Sequence, residues 1–496
     1  MTPSLILASM ATYFALLLAI GWLTARHADA DGYFLGNRRS RWWVVMVGLI
    51  GDSLSGVTFI SVPGAVAATQ FSYMQIVLGY VVGYFVISFV LLPIYYGQRL
   101  TSIYHYLGGR FGPWTQRTGA AFFLLSRTAG AAARLYLAAG VLQLFVFGVW
   151  GVPFAVTVGL ILALILVYTF KGGIKTLVWT DLFQSACLLF GVLLSIAALL
   201  QTLGLGVGQL WRTLQASPYS QVFFWNDWRS EQFFWKQFVG GALIALTMTG
   251  LDQNMMQKNL SCRTLGGAQR NLLWFSLIAV MVNGMFLALG GLLYYFAAVN
   301  GAALPERSDQ LFPLIALHHL GGFAAVVFVI GLTAATFNSA DSVLTTLTTS
   351  FYFDILGHDE RQPQDDAAST RARHRIHIGF AVVLLLSILI FQWVSSGAVI
   401  TLLLAMANYT YGPLLGLFAF GILTRQRVRD HIVPCVCLVA PLLCWVVDRN
   451  SAGWFGGYRF SNELLAVNGA ITALGLWLVA RPGAAPVSGL RAPAGA

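Results

Sequence analysis

Long apolar runs separated by short polar, mostly basic segments give this chain its pattern. Thirteen runs stand out, at 4–25, 43–68, 72–97, 118–148, 152–170, 178–203, 234–257, 268–299, 311–353, 376–397, 399–423, 431–447 and 462–480. A helix that crosses the hydrocarbon core needs about 20 apolar residues, so each run predicts one membrane helix. Several runs are longer than a straight crossing requires, which predicts tilt or interruption. Composition sharpens the picture: of 496 residues, 58% are hydrophobic and 9% charged. A soluble domain carries about 25% charged residues. Here there is too little charge to coat a water-facing surface, which excludes a soluble enzyme, and disorder is excluded on the same ground. The expected class is an all-α polytopic protein embedded in the lipid bilayer.

Charge placement orients it. With the N-terminus outside and loops assigned alternately, 21 of the 29 Lys and Arg fall in inner segments and six in outer ones. The other two, Arg127 and Arg134, lie inside a run. Such an asymmetry follows the positive-inside rule, and an odd number of spans puts the C-terminus inside. The 354–375 segment then reads as an inner loop. The Trp- and Phe-rich 204–233 segment reads as lying along the outer interface, and the Pro/Gly/Ala stretch 481–496 as a disordered inner tail. The first run has no basic n-region or small-residue cleavage site, so it reads as a retained span.

The formal net charge of +11 does not indicate nucleic acid, because the basic residues sit between spans and not in aromatic-interleaved blocks. Cys187, Cys262, Cys435, Cys437 and Cys444 form no C-x-x-C and read as small buried hydrophobes. There is no phosphate-binding P-loop, dinucleotide fingerprint or H-E-x-x-H. An ATP-driven pump therefore has no visible motor, and an intramembrane enzyme has no visible nucleophile–base pair.

Charged residues inside spans are costly, and each is a site hypothesis. Asp52, Arg127, Arg134, Asp181, Asp252 and Asp341 qualify. Ala335, Asn338, Ser339 and Ser342 share one helical face by i, i+3, i+4, i+7 spacing, with Asp341 beside it. That face offers oxygens to a hard cation, or small residues to a packed neighbour helix. The segment 48–64, GLIGDSLSGVTFISVPG, has four glycines and a proline, which suit a discontinuous helix with freed carbonyls, or a kinked packing helix. Gly79/Gly83 and Gly412/Gly416 have G-x-x-x-G spacing and read as close helix contacts.

Six stretches occur in an order that resembles the sodium:solute symporter family: DGYFLGNRR, SGVTFISVPG, GGIKTLVWTDLFQ, LDQNMMQKNLS, AATFNSADSVLTTLTTSFYFD and GPLLGLFAFGILTR. The resemblance implies a LeuT-type fold with inverted five-helix repeats at about 43–203 and 234–424. Residues 1–42 would add a first span and inner loop, and 425–480 two C-terminal spans. It also implies a main sodium site formed by carbonyls of Gly51, Leu54 and Ala335 with side chains of Asn338 and Ser339. Relatives usually carry serine at the position of Asn338. A second sodium or proton site would use Asp181, Asp341 and Ser342. Independently, Asp181 also reads as a carboxylate favoured by a helix N-terminus. Solute contacts would come from Ser53, Ser55, Thr58, Tyr73, Gln75, Arg134 and Gln253.

Arg127 and Arg134, seven apart on one face, suit either carboxylate recognition or pairing with Asp52. The expected activity is sodium-coupled import of a small polar solute, a sugar or an organic anion such as a sialic acid or monocarboxylate. A proton-coupled version of the same fold and a non-transporting membrane sensor stand as alternatives. One chain is expected to suffice as the functional unit.

Overall fold

The computed structural model describes residues 3–25, 30–358, 367–394 and 399–481. The disorder expected of the tail falls on 482–496 and the middle of the 354–375 loop on 359–366, both outside the described residues.

Apolar helices dominate. In chain order the principal ones are α1 (Pro3–Ala25), α2 (Trp42–Ser53), α3 (Gly56–Thr69), α4 (Tyr73–Val86), α5 (Pro113–Leu142), α6 (Phe154–Leu203) and α7 (Phe234–Ala245). They continue with α8 (Gln253–Leu260), α9 (Leu265–Asn300), α10 (Gly321–Ser350), α11 (Ala367–Val394), α12 (Val399–Leu423), α13 (Val433–Trp454) and α14 (Leu464–Leu478). Among the described residues, six helices are long and apolar enough to cross a membrane, or seven with the bent pair α2–α3. Outward-facing side chains are apolar too: Leu125, Phe190 and Met281 are 61, 63 and 70% exposed. In water that surface would aggregate; in lipid it is solvated.

Helix breaks fall where local chemistry permits them. Helices α2 and α3 meet at 54°. Between them Leu54 (φ −95°, ψ 68°) and Ser55 (φ −67°, ψ 175°) leave helical geometry. Helix α6 is one run with a break at Gly173 (φ 48°, ψ −140°). That corrects the expected loop at 171–177: Gly173 turns the chain at one residue, where a Cβ would meet the Tyr33 backbone. The expected single run 311–353 is two helices, Leu311–His318 and α10, divided at Gly321 (φ 80°). Helix α7 passes through a wide turn, Leu246–Gly250, and a non-helical step at Leu251–Asp252 before α8 begins. A short antiparallel pairing of Arg427–Val428 with Ala480–Arg481 is a small departure from an all-α chain.

The core is built around α10, buried from Gly331 to Ser350 and packed along α6. Its hydroxyls donate back to their own helix, as Thr333 does to the Val329 carbonyl (2.7 Å) and Thr348 to that of Leu344 (2.7 Å). This satisfies the buried donors without a partner helix.

The glycine pairs are contact points. A Cβ at Gly79 or Gly83 would collide with backbone of the α7 segment Phe238–Ala242, and one at Gly412 with Asn468 of α14. Gly159 has nothing within 4 Å. Gly79→Ala should therefore cost about 1–3 kcal/mol through forced helix separation. Gly159→Ala should be neutral or stabilising, since alanine favours helix by about 1 kcal/mol. Thermal unfolding midpoints of the two purified variants in detergent check this contrast.

Candidate functional site

The break between α2 and α3 lies at the centre of the bundle because small residues let α2 approach α6. A Cβ at Gly48 would press on Asp181, and one at Gly51 on Ser185 and the Asn338 amide. The Gly51 amide donates to Ser185 Oγ (3.0 Å), and Ser185 Oγ reaches the Gly48 carbonyl (3.4 Å). The broken helix and the Ala335–Ser339 turn of α10 are thus in direct contact. Asn338 Oδ1 is buried with no hydrogen-bond donor, while its Nδ2 lies 3.5 Å from the Asp181 carbonyl. Ser339 Oγ donates to the Ala335 carbonyl (3.2 Å), leaving its lone pairs to accept. Leu54 borders the neighbouring cavity.

Three aspartates converge beside this contact. Asp341 Oδ1 accepts from the Ser342 amide (2.6 Å) and hydroxyl (3.2 Å). Its Oδ2 accepts from Tyr168 (2.8 Å) and weakly from Gln184 (3.4 Å). Asp52 and Asp181 both bind the ammonium of Lys258, Asp181 at 2.5 Å, and that ammonium also donates to Ser342 Oγ (2.6 Å). Lys258 is 1% exposed. It is therefore no inner-loop residue, as its place after the seventh run suggests, but a core cation. Asp181 lies more than two turns inside the helix that starts at Gly173, so the helix-N-terminus reading of it does not hold.

A second charged group forms around Asp252 and Arg127. Asp252 caps α8 by accepting from the Asn254 (2.9 Å) and Met255 (3.3 Å) amides. Its Oδ2 accepts from Tyr411 (2.6 Å) and lies 3.7 Å from Arg127. The Asn254 carboxamide, its nitrogen turned toward Thr346, accepts from Arg127 Nη2 at 2.6 Å. Arg127 is thus held by Asp252 and Asn254, and Asp52 by Lys258; the arginine pairing with Asp52 is not what forms. Arg134 has no carboxylate within ion-pair distance among the described residues, and its Nε is buried without a partner.

Arg134 faces a cavity of about 100 Å³. Ser53, Ser55, Thr58 and Tyr73 line the same cavity, so five of the seven expected solute residues share one wall. Gln75 and Gln253 are elsewhere. Gln75 holds the 204–233 segment, accepting from the Phe224 amide (3.1 Å) and donating to the Gln232 carbonyl (3.0 Å). Gln253 accepts from the Ile103 amide (2.9 Å) and donates to the Thr101 carbonyl (2.7 Å). Each amide is spent on backbone. Tyr80, Tyr84 and Asn283 also line the cavity, and Asn283 Oδ1 is buried without a donor. An asparagine midway along the apolar run 268–299 was the legible signal for the last of these.

The chain as a whole is similar to known proteins. The chain is 23% identical over 492 residues to the sodium/sialic acid symporter NanT of Aliivibrio fischeri, covering 93% of this chain and 91% of that one. It is 26% identical over 408 residues to the sodium-coupled monocarboxylate transporter 2 of Danio rerio, covering 80% of this chain. It spans 63% of that relative's length. Among solved structures, the substrate-bound outward-open state of a Na⁺-coupled sialic acid symporter superposes with a TM-score of 0.81 at 20% identity, covering 96% of this chain and 98% of that one. A nucleobase-cation-symport-1 family transporter in a closed conformation superposes with a TM-score of 0.53 at 14% identity, covering 90 and 94%. The fold is therefore that of the LeuT-like transporters. Residues 33–430 match the model of the sodium:solute symporter family, and this multi-pass membrane protein belongs to that family.

Proposed function

We propose that the chain imports a small carboxylate-bearing solute together with sodium. The observation that carries the solute class is Arg134: a half-buried arginine without a carboxylate of its own, its Nε buried and unpartnered, facing a cavity lined in part by hydroxyls. A planar cation in such a place favours a carboxylate through paired, charge-assisted hydrogen bonds. Ser53, Ser55, Thr58 and Tyr73 would orient the rest of the solute. The names of relatives point to anions as well: sialic acid, monocarboxylates and, for a human relative 25% identical over 414 residues, iodide.

Sodium is placed at the contact of α2 with α10. Carbonyls of Gly51, Leu54 and Ala335 and the oxygens of Asn338 and Ser339 are its ligands. The unpartnered Asn338 Oδ1 and the approach of Gly51 to Asn338 support that assignment. Asp181, Asp341 and Ser342 form a second cation position. Ordering the broken helix against α10 completes the cavity wall at Ser53–Thr58. Each ligand then favours the state that the other needs, which is coupling. Moving one net charge inward gains about 2.3 kcal/mol per 100 mV.

Thirteen spans place the N-terminus outside and the C-terminus inside, with one chain as the unit. The halves 43–203 and 234–424 are the inverted repeats. A break in the first helix of each, at Leu54–Ser55 and at Leu251–Asp252, supports that division. Rocking of one half-built bundle against the rest would open the cavity to each side in turn.

In proteoliposomes, an inward sodium gradient should accelerate uptake of a labelled small carboxylate, and replacing sodium by choline at fixed pH should abolish it. Unchanged uptake in choline would assign the coupling to protons instead. Ser339→Ala should raise the half-saturating sodium concentration about tenfold, as expected for loss of one oxygen ligand, with normal protein yield. The two arginines should separate. Arg134→Ala should abolish uptake while leaving expression and unfolding temperature near wild type. Arg127→Ala strands the buried Asp252 and should cost about 3–5 kcal/mol of stability, read as lost folded protein in size-exclusion chromatography.

A further inference from the structure

The position of Lys258 has a functional meaning of its own, and it rests on the sodium-coupled reading above. We propose that the Lys258 ammonium is a tethered competitor for the coupling cation, so that sodium binding is an exchange of one monovalent cation for another within a single cluster of carboxylates.

The geometry carries this. Lys258 stands on the half-helix α8, and its ammonium meets Asp52 of α2, Asp181 of α6 and Ser342 of α10. These are the three helices whose oxygens make up the proposed cation positions. A fully buried lysine needs such partners, since leaving one unpaired in an apolar core is prohibitive. Yet its presence does not neutralise its surroundings. With all three ionised, Asp52, Asp181 and Asp341 would set three negative charges against the single positive charge of Lys258, an excess of two. Nor does it satisfy the oxygens around it. Asp52 Oδ1, Asp181 Oδ1, Asn338 Oδ1 and Gln184 Oε1 are buried with no hydrogen-bond donor. All four belong to residues already tied to the cluster, by Lys258, by the Asp181 carbonyl contact or by Asp341. The cluster therefore has both the charge and the free lone pairs to take a further cation beside the ammonium.

Two like charges in one buried cluster repel. A sodium ion arriving there weakens the hold on Lys258, and Lys258 weakens the hold on sodium. The ammonium is able to yield without moving its helix, because it hangs on a flexible four-carbon stem. The helix itself is anchored: Gln257 donates to the Phe34 carbonyl (2.6 Å) and to Thr349 Oγ1 (3.0 Å). With sodium absent, the ammonium keeps the three aspartates from repelling one another and holds α2, α6 and α10 together. Sodium release is thereby favoured once the solute has left, and the empty carrier returns with its carboxylates already partnered.

The test is sodium-dependent thermal stability of the purified full-length protein in detergent. Unfolding midpoints are measured across a sodium chloride series balanced with choline chloride. Wild type should be stabilised by sodium. Lys258→Gln removes the competitor and raises the negative excess. Its midpoint should therefore be lower than wild type in choline, rise more steeply with sodium, and reach half its rise at roughly tenfold lower sodium. Recovery of folded Lys258→Gln protein only when sodium is present supports the same conclusion, because sodium then stands in for the ammonium. A variant that is unfolded with or without sodium, or one whose half-effect matches wild type, overturns the inference and leaves Lys258 a structural ion pair. If neither protein responds to sodium, both this inference and the sodium-coupled reading fall. If wild type responds and the variant's half-effect is unchanged, the inference falls alone.

Discussion

Seven charged side chains gather around the break between α2 and α3, and everything near the site follows from how they are compensated. Four are aspartates, at 52, 181, 252 and 341; three are cations, at 127, 134 and 258. Hydrocarbon offers no solvation, so each must find a counter-charge, a hydrogen bond or a ligand. Asp252 finds Arg127, Tyr411 and the start of α8. Asp52 and Asp181 find Lys258. Asp341 is held by hydroxyls and an amide. Arg134 is the cation this scheme leaves open, and it faces the cavity. Several carboxylates around one lysine, and an arginine at the cavity with no carboxylate of its own, suit the uptake of a cation together with an anion.

The second constraint is backbone satisfaction. A helix interrupted inside a membrane exposes carbonyls and amides that lipid cannot serve. The two interruptions next to the site solve this with protein groups. At Leu54 the amide still closes on the Ile50 carbonyl (2.8 Å) and Gly51 borrows Ser185. At Asp252 a carboxylate caps the new half-helix. Beside the contact of α2 with α10, the side-chain atoms left without a partner are oxygens, of Asp52, Asp181, Gln184 and Asn338, and oxygens are what a hard cation requires.

Much of this was legible in the chain itself. The apolar runs marked nearly every principal helix, because a lipid-facing helix must be apolar over a length that no other element needs. The glycines and proline of 48–64 marked the break. Grouping of Ser53, Ser55, Thr58, Tyr73 and Arg134 followed from motifs matched in order. The misses share a physical cause. Lys258 was counted with the inner loops because charge counting treats any lysine near a span end as hydrated. Four aspartates facing only two arginines on one helix were the sign that another cation was owed. Gln75 and Gln253 carry polar groups of the kind that bind solutes, and nothing in local spacing reveals that both are consumed by distant backbone. Pairing of Arg127 with Asp252 joins residues 125 positions apart, a distance over which periodicity is silent.

The anchoring of Gln75 has a mechanical consequence. Its carboxamide clasps the 204–233 segment at two places, the Phe224 amide and the Gln232 carbonyl, from the first turn of α4. The side chain is fully buried, so parting from either place would strand a polar group away from water. Helix α4 and the aromatic stretch above it therefore travel as one piece. Any tilt of that helix is passed on as a shift of the stretch bearing Trp225 and Trp228, and a spectroscopic label placed there would register it.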